Sequence, residues 1–369
     1  MDLPQHQQLE IAKLSAIFRD TTNSYKFYWF LSILDSLAEN GNLVISQHEI
    51  ALRMLSNVWY PLDYFKLSFG SQDGFEKVAA FVSSKITIDN RPTAPTVFHQ
   101  IKQKFSANDL ALLSQEVKKL YRWVPFRFIR PFFEVETRGI LDQKVNAAVV
   151  TLSNELFDRQ PHRVIYRFVG DAIELNPIWA AYFQKHQVIL RGFLFWHLLR
   201  FVQKNNPTVI GLSEKLQKPV QRDLNLANKF WRGYLKENPT LTCIYSGQVV
   251  ASENLSLDHF LPWSYVAHDQ LWNIIPTPKS VNSAKNDWLP SFEHYFEPFV
   301  TLQLAAFRFY QGQQNKESYK FMENYRPIFR QDLSQISDEI FKEILRQIIF
   351  PHLQTAKNMG FSSPFVYRK

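Results

Sequence analysis

Cysteine is almost missing from this chain, because Cys243 is the single one among 369 residues. One thiol can neither close an internal disulfide nor supply the Cys-rich ligand set of a structural zinc ribbon. The sequence therefore predicts a protein of a reducing compartment, the cytoplasm, with no structural zinc. The N-terminal residues fit this prediction, since they show neither the basic start nor the apolar run of a signal peptide.

Long apolar runs without charge are also lacking. A helix needs about 20 consecutive apolar residues to cross a bilayer. The two most apolar stretches, 25–37 and 188–202, are shorter than this and carry charged side chains. These are Lys26, Asp35, Arg191 and Arg200. Both stretches are predicted to be core helices, and no membrane association is expected.

Glycine is scarce, at 11 residues, whereas aromatic residues make up 15% of the chain. Few glycines disfavour a turn-rich β architecture and favour helices. Hydrophobic residues at 46% and charged residues at 21% are typical of a globular protein. The sequence therefore predicts a mainly α fold, long enough for two or three domains.

The charge balance is basic, with 42 Lys and Arg against 34 Asp and Glu, a net charge of +8. Basic side chains that neutralise phosphates release counterions, so this balance suits a polyanionic partner such as DNA. Charge alone is equally compatible with a basic protein that has no such partner.

A cluster of cations and rings lies at residues 118–133 and contains no acid. Its five cations are Lys118, Lys119, Arg122, Arg127 and Arg130. Cations beside flat rings can hold phosphates while the rings stack on bases, which makes these five residues candidates for nucleic-acid binding. The alternative is that the rings belong to the core and the basic groups only reach solvent.

Periodicity and turn residues divide the chain into three predicted regions. Residues 1–240 are expected to be mostly helical and to recognise substrate or a partner, with a small β-hairpin insert at 164–175 around Gly170. Residues 241–290 form a separate core, and residues 291–369 form a helical C-terminal cap. Within the core, strands are expected at 242–245 and 248–251, and a helix at 280–287.

The core contains an adjacent Asp258-His259 pair. Asn273 follows fourteen residues after His259, and Asn282 follows twenty-three residues after it. Carboxylate and amide oxygens are ligands for hard cations, and imidazole is a base near neutral pH. This combination points to metal-dependent hydrolysis. A chance Asp-His dipeptide followed by two turn-forming Asn residues is the structural alternative.

Residues 242–290 resemble the ββα-metal fold of HNH endonucleases. The resemblance rests on the block Asp-His-Phe-Leu-Pro-Trp-Ser at 258–264, the spacings of Asn273 and Asn282, and the trailing Lys285 and Pro290. The likeness is to the subgroup that ends its motif in Asn, which includes the HNH domain of RNA-guided CRISPR effectors. The remainder of the chain resembles no module of assignable function.

The resemblance implies a role for each motif residue. His259 would be the general base, and Asp258 and Asn282 would ligate one Mg²⁺ or Mn²⁺ ion. Asn273 would hold the loop that follows the His, and Lys285 would reach the scissile phosphate. These residues are the candidate catalytic and metal-binding set.

Three further residues near the motif are weaker candidates. Asn286 competes with Asn282 as a ligand and His268 competes with His259 as a base, but both lie off the family spacing. Tyr245 is expected only to pack near the site. The third motif position is Asn and not His, which favours Mg²⁺ or Mn²⁺ over Zn²⁺.

The resemblance implies an endonuclease that cuts DNA, with restriction or anti-phage defence as the expected setting. One alternative is a nuclease subunit of a defence complex that is silent until a protein partner recruits it. A homing or recombination nuclease is another. A single metal site makes one nick, so double-strand cleavage is expected to need two copies, as in a homodimer.

Overall fold

The computed structural model describes residues 2–88, 93–217, 223–313 and 315–368. Helices dominate, with one sheet of three strands and one of two among these residues, so the predicted mainly α fold with a small nuclease core is confirmed. The chain forms two compact units. Unit 1 comprises Met1–Pro207 with Leu216–Lys218, and unit 2 comprises Thr208–Lys215 with Pro219–Lys369.

Unit 1 is built from ten named helices in the part of the chain that the structure describes. They are α1 Ile11–Ala16, α2 Tyr25–Asn40, α3 Gln47–Trp59, α4 Phe75–Lys85, α5 Ala94–Lys104, α6 Ala107–Tyr121, α7 Val124–Ile129, α8 Asp142–Leu156, α9 Pro177–Lys185 and α10 Gln187–Asn205. Four consecutive aromatic residues at the start of α2, 27–30, are all buried. A helix that is apolar on most of its circumference must lie inside the fold, which places α2 at the centre of unit 1.

The hairpin signal at 164–175 corresponds to strands β2 Tyr166–Val169 and β3 Ala172–Leu175, which pair antiparallel across Gly170. Gly170 has a φ of 57°, a conformation that glycine adopts without steric cost. A third strand, β1 Val44–Ser46, pairs with β3. Sequence periodicity does not reveal β1, because three residues are too few to show an alternation.

Unit 2 contains the predicted nuclease core and the helices around it. Its elements in chain order are α11 Leu212–Lys215, α12 Asn225–Glu237, β4 Leu255–His259, α13 Trp263–Val266, β5 Ile274–Pro278, α14 Lys279–Lys285, α15 Phe292–Gln311, α16 Lys316–Glu323, α17 Arg326–Phe329 and α18 Asp338–Asn358. Helix α12, assigned from the sequence to the N-terminal region, belongs to unit 2 by its contacts. Its buried residues pack in the same hydrophobic cluster as those of α15 and α18.

The predicted strands at 242–245 and 248–251 are wrong. These segments share one isolated bridge, between Thr242 and Val249, and the strand pair of the core is β4 with β5. The reason is that β4 and β5 are separated by a loop of more than ten residues, and local periodicity gives no information on which distant segments pair.

Local capping agrees well with the sequence in unit 2. The Ser337 hydroxyl accepts a hydrogen bond from the Ile340 amide at the start of α18, at 3.2 Å. Ser291 caps α15 through the His294 amide. Over the described residues, no helix has the length and apolar character required to cross a membrane.

Candidate active site

Strand β4 and helix α14 bring the predicted motif residues together. β4 runs antiparallel to β5, with Asp258 opposite Ile275 and His259 opposite Ile274. Neighbouring residues of a strand project to opposite faces. Asp258 therefore meets α14, whereas His259 meets the loop between the two strands.

Asp258 is 3% exposed and both of its carboxylate oxygens are hydrogen-bonded. Lys285 Nζ lies 3.1 Å from Oδ1, and the Tyr245 hydroxyl donates to Oδ2 at 2.9 Å. Burial raises the pKa of Asp258, and the Lys285 ammonium and the Tyr245 hydroxyl oppose this rise. Tyr245, expected only to pack nearby, thus contacts the carboxylate directly.

Lys285 is fully buried. Its ammonium also donates to the backbone carbonyl of His259, at 2.7 Å. Lys285 therefore ties the last turn of α14 to the end of β4 and supplies the positive charge that a buried carboxylate requires. In this geometry its contacts are with Asp258 and His259.

His259 is buried, and its Nε2 lies 2.8 Å from Oδ1 of Asp269 in the loop between β4 and β5. A carboxylate accepts, so the contact favours the tautomer that carries its proton on Nε2. Nδ1, which makes no hydrogen bond to a described residue, then keeps its lone pair. The sequence interpretation missed Asp269, because no fixed spacing marks an acid in a loop of this kind.

Asn273 is fully buried and binds the backbone of Leu261 twice. Its Oδ1 accepts from the Leu261 amide at 2.8 Å, and its Nδ2 donates to the Leu261 carbonyl at 2.9 Å. The backbone of Asn273 also accepts from the Phe260 amide at 2.8 Å. These bonds fix the chain that leaves β4 directly after His259.

Asn282 lies on α14 beside the face of β4 that carries Asp258. Its Nδ2 donates to Ser256 Oγ at 2.7 Å and to the Leu257 carbonyl at 3.0 Å. Ser256 and Asp258 are two residues apart on the strand and so share one face. With the amide nitrogen engaged, Oδ1 is the atom of Asn282 that is available as a ligand; no described residue donates to it.

Side chains of helices α12 and α15 donate hydrogen bonds to the backbone of β5. The Trp231 indole nitrogen and the Gln303 amide nitrogen both donate to the Ile274 carbonyl, at 3.0 and 2.8 Å. Gln303 is fully buried and accepts in turn from the Tyr325 hydroxyl at 2.9 Å. A buried polar group with its hydrogen bonds satisfied fixes one arrangement, so the strand opposite His259 is rigidly placed.

The donor set fits a hard divalent cation. Among the described residues no group of three or more His, Cys, Asp or Glu side chains could hold a metal ion. Asp258 and Asn282 nevertheless offer carboxylate and amide oxygens, and each carboxylate oxygen has a second lone pair beyond its one hydrogen bond. Mg²⁺ prefers oxygen ligands and retains several waters, so two protein oxygens suit it.

The competing residues occupy different surroundings. Asn286 is exposed and ends α14 with a φ of 45°. Burial lowers the pKa of His268 to about 4, with the neighbouring His259 as the next cause. Its Nδ1 accepts from the Gln270 amide at 3.4 Å and its ring packs on Trp272.

The basic aromatic cluster divides between core and surface. Phe128, Phe132 and Phe133 are fully buried, so these rings are not available to stack on bases. Trp123, by contrast, is 49% exposed. The five cations lie on or after α6, in unit 1, and all are exposed or half-buried. The buried rings agree with the core interpretation, whereas nucleic-acid binding by the five cations stays a prediction.

The comparison with protein families matches residues 243–291 to the family described as HNH endonuclease. No curated protein and no solved structure matches the chain. The matched segment contains β4, β5 and α14 with every motif residue described above, and HNH nucleases generally use divalent metal ions. Residues 243–291 are therefore an HNH endonuclease domain, and its site is that of a nuclease acting on nucleic acid.

Proposed function

We propose that this protein hydrolyses phosphodiester bonds of DNA with Mg²⁺ or Mn²⁺. The observation that carries the proposal is that Asp258 and Asn282 lie together at the contact of β4 with α14, while His259 follows Asp258 at the end of the same strand. The net charge of +8 supports a polyanionic substrate.

His259 is the general base in this proposal. Its Nδ1 takes a proton from the attacking water, while Asp269 holds the ring and stabilises the imidazolium that forms. Asn273 keeps the base in place through the Leu261 backbone. The buried surroundings restrict the motion of the ring, so the proton acceptor is already oriented when substrate binds.

Asp258 and Asn282 would hold the metal ion through their side-chain oxygens. A bound divalent cation neutralises charge that develops on the phosphate and on the departing oxygen. Asn282 is oriented for this task by Ser256 and the Leu257 carbonyl. We propose that Lys285 acts mainly by fixing Asp258; the contact with the scissile phosphate implied by the resemblance stays a prediction.

Lys118, Lys119 and Arg122, near the end of α6, are proposed to contact the nucleic-acid backbone. Lys119 is bonded to Glu116 at 2.6 Å, and Arg127 is bonded to Asp142 at 2.8 Å, so part of this charge is already neutralised. Surface ion pairs of this type are weak, and a phosphate can displace the acid.

Restriction or anti-phage defence is the proposed setting, and the resemblance to the Asn-ending HNH subgroup supports it. The alternative is a nuclease that stays silent until a protein partner recruits it. The test is cleavage of modified and unmodified phage DNA and of plasmid by the purified chain, with Mg²⁺ or with EDTA. Metal-dependent nicking that His259→Ala abolishes supports the proposal. If plasmid stays intact with every metal tested and host extract restores nicking, the result supports the alternative of a nuclease that a partner recruits.

A further inference from the structure

Unit 1 contains a pocket of about 710 Å³ that lies outside the nuclease domain. Residues 19–23 between α1 and α2, the first turn of α2, the end of α6 and the segment around α7 form its wall. Pockets of about 300–1,000 Å³ are the usual size for small ligands. A pocket of this volume can hold a single nucleotide.

Basic groups dominate the wall. The cations are Arg19, Lys26, Lys119, Arg127 and Arg130, against the acids Asp20, Glu134 and Asp142. Lys119 is paired with Glu116, and Arg127 is paired with Asp142. Arg19 and Arg130, by contrast, form no ion pair with a described residue. The unpaired positive charge is therefore concentrated on two guanidinium groups, which can bind phosphate oxygens bidentately.

Lys26 adds a third cation in a fixed position. Its ammonium donates to the carbonyls of Ile17 at 3.1 Å and Asp20 at 2.9 Å. Burial lowers the pKa of Lys26, and the positive charges of Arg127 and Arg130 lower it further against the opposing effect of Asp20. Cations that repel one another across a pocket are stabilised when an anion binds between them.

Trp123 supplies an exposed aromatic ring to the wall. Its indole is about half exposed, in contrast to the buried phenylalanines that follow it. The Arg122 guanidinium lies 4.9 Å from the ring centre, a distance at which a cation is attracted to the ring. An exposed indole beside cations is a surface on which a base can stack.

We propose that this pocket binds one nucleotide, with its phosphate on Arg19, Lys26 and Arg130 and its base against Trp123. The nucleotide is either free or part of a strand. For a strand the inference rests on the proposed nucleic-acid substrate; for a free nucleotide it does not. The pocket thus gives unit 1 a binding function of its own, separate from the chemistry of unit 2.

The test uses the full chain carrying His259→Ala in EDTA, so that binding is measured whether or not the nuclease proposal is correct. Calorimetry compares a deoxynucleoside monophosphate, the matching nucleoside, inorganic phosphate and an oligonucleotide of about ten residues. Arg130→Gln and Trp123→Ala are the pocket variants. Arg159→Gln is the matched control, an exposed arginine of unit 1 outside the pocket. Thermal unfolding checks that each variant is folded.

Each pocket variant is expected to weaken binding by about tenfold or more, because a charge-assisted phosphate contact or a stacked base contributes that much. Arg159→Gln is expected to bind like the parent. If the pocket variants lose affinity for the monophosphate, the pocket is a site for a free nucleotide. If they lose affinity for the oligonucleotide alone, the pocket binds a nucleotide within a strand. The proposal is overturned if the folded pocket variants bind every ligand like the parent, or if Arg159→Gln loses as much as they do.

Discussion

The Asp269 carboxylate lies 2.8 Å from Nε2 of His259, and Asp269 is not one of the motif residues that carry the family resemblance. The contact favours a proton on Nε2, and Nδ1 then keeps the lone pair that the proposed general base requires. A pair of this kind makes the base dependent on a residue that does not itself touch substrate. Its strength is therefore measurable separately from the chemistry of His259.

Asp269→Asn is expected to lower kcat by about 10–100-fold while KM changes little, since an outer partner orients the base and does not bind substrate. His259→Ala is expected to cost about 10²–10⁴-fold, the usual contribution of a general base. Plasmid nicking rates at saturating metal measure both. Combining the two substitutions should reproduce the rate of His259→Ala alone; a further loss in the double variant would show that Asp269 acts by another route.

His268→Gln separates the two candidate bases. The pKa of His268 is lowered to about 4 by burial, so its ring is neutral throughout the range from pH 5 to 8. The fall of nicking rate on the acid side should therefore keep its midpoint in His268→Gln. A loss of nicking rate in folded His268→Gln as large as that of His259→Ala would assign the base to His268.

Asn282→Ala is expected to weaken divalent metal binding strongly, because one of the two protein oxygens is removed. Asn286→Ala is the matched control, since it removes the same group from an exposed position at the end of the same helix. Electron paramagnetic resonance of Mn²⁺ added to the purified variants measures affinity without relying on cleavage. If Asn282→Ala binds Mn²⁺ like the parent and Asn286→Ala binds it weakly, Asn286 and not Asn282 is the metal ligand.

Lys285→Met tests the buried ion pair. Removing one partner of a buried pair leaves an uncompensated charge, here on Asp258, and typically costs about 3–5 kcal/mol. Urea unfolding of unit 2 should show a loss of this size, whereas Lys279→Met at the exposed start of α14 should change stability little. If Lys285→Met unfolds like the parent but loses phosphate affinity, Lys285 serves the substrate and not Asp258.

Features set by neighbours in the chain could be predicted, and those set by distant contacts could not. Ser337 indicates the start of α18 because an N-cap acts on the amide three residues later. The role of Asn273 could be expected only through the family resemblance, because its partner Leu261 lies 12 residues away in the chain. Asp269 could not, because its position depends on the path of a loop. The pairing of β4 with β5 was missed for the same reason.

Lys215 should make the stability of unit 2 depend on pH. This lysine at the end of α11 is 0% exposed, and its ammonium donates to the Tyr265 carbonyl. Burial lowers its pKa from 10.5 to about 7. Between these values the unfolded chain binds a proton that the folded chain does not, so stability rises with pH, by up to about 1.4 kcal/mol per unit. Below pH 7 both states are charged and the dependence ends.

Lys215→Met replaces the ammonium by an apolar group of similar length and should remove this slope. Urea midpoints measured from pH 7 to 9, below the range in which tyrosines ionise, compare the parent, Lys215→Met and Lys236→Met. The last is an exposed lysine of α12, also in unit 2, and should keep the slope of the parent. If the urea midpoints of the parent and of Lys215→Met change with pH in parallel, the buried amine keeps its proton throughout this range. The hydrogen bond to the Tyr265 carbonyl would then offset the cost of burying the charge.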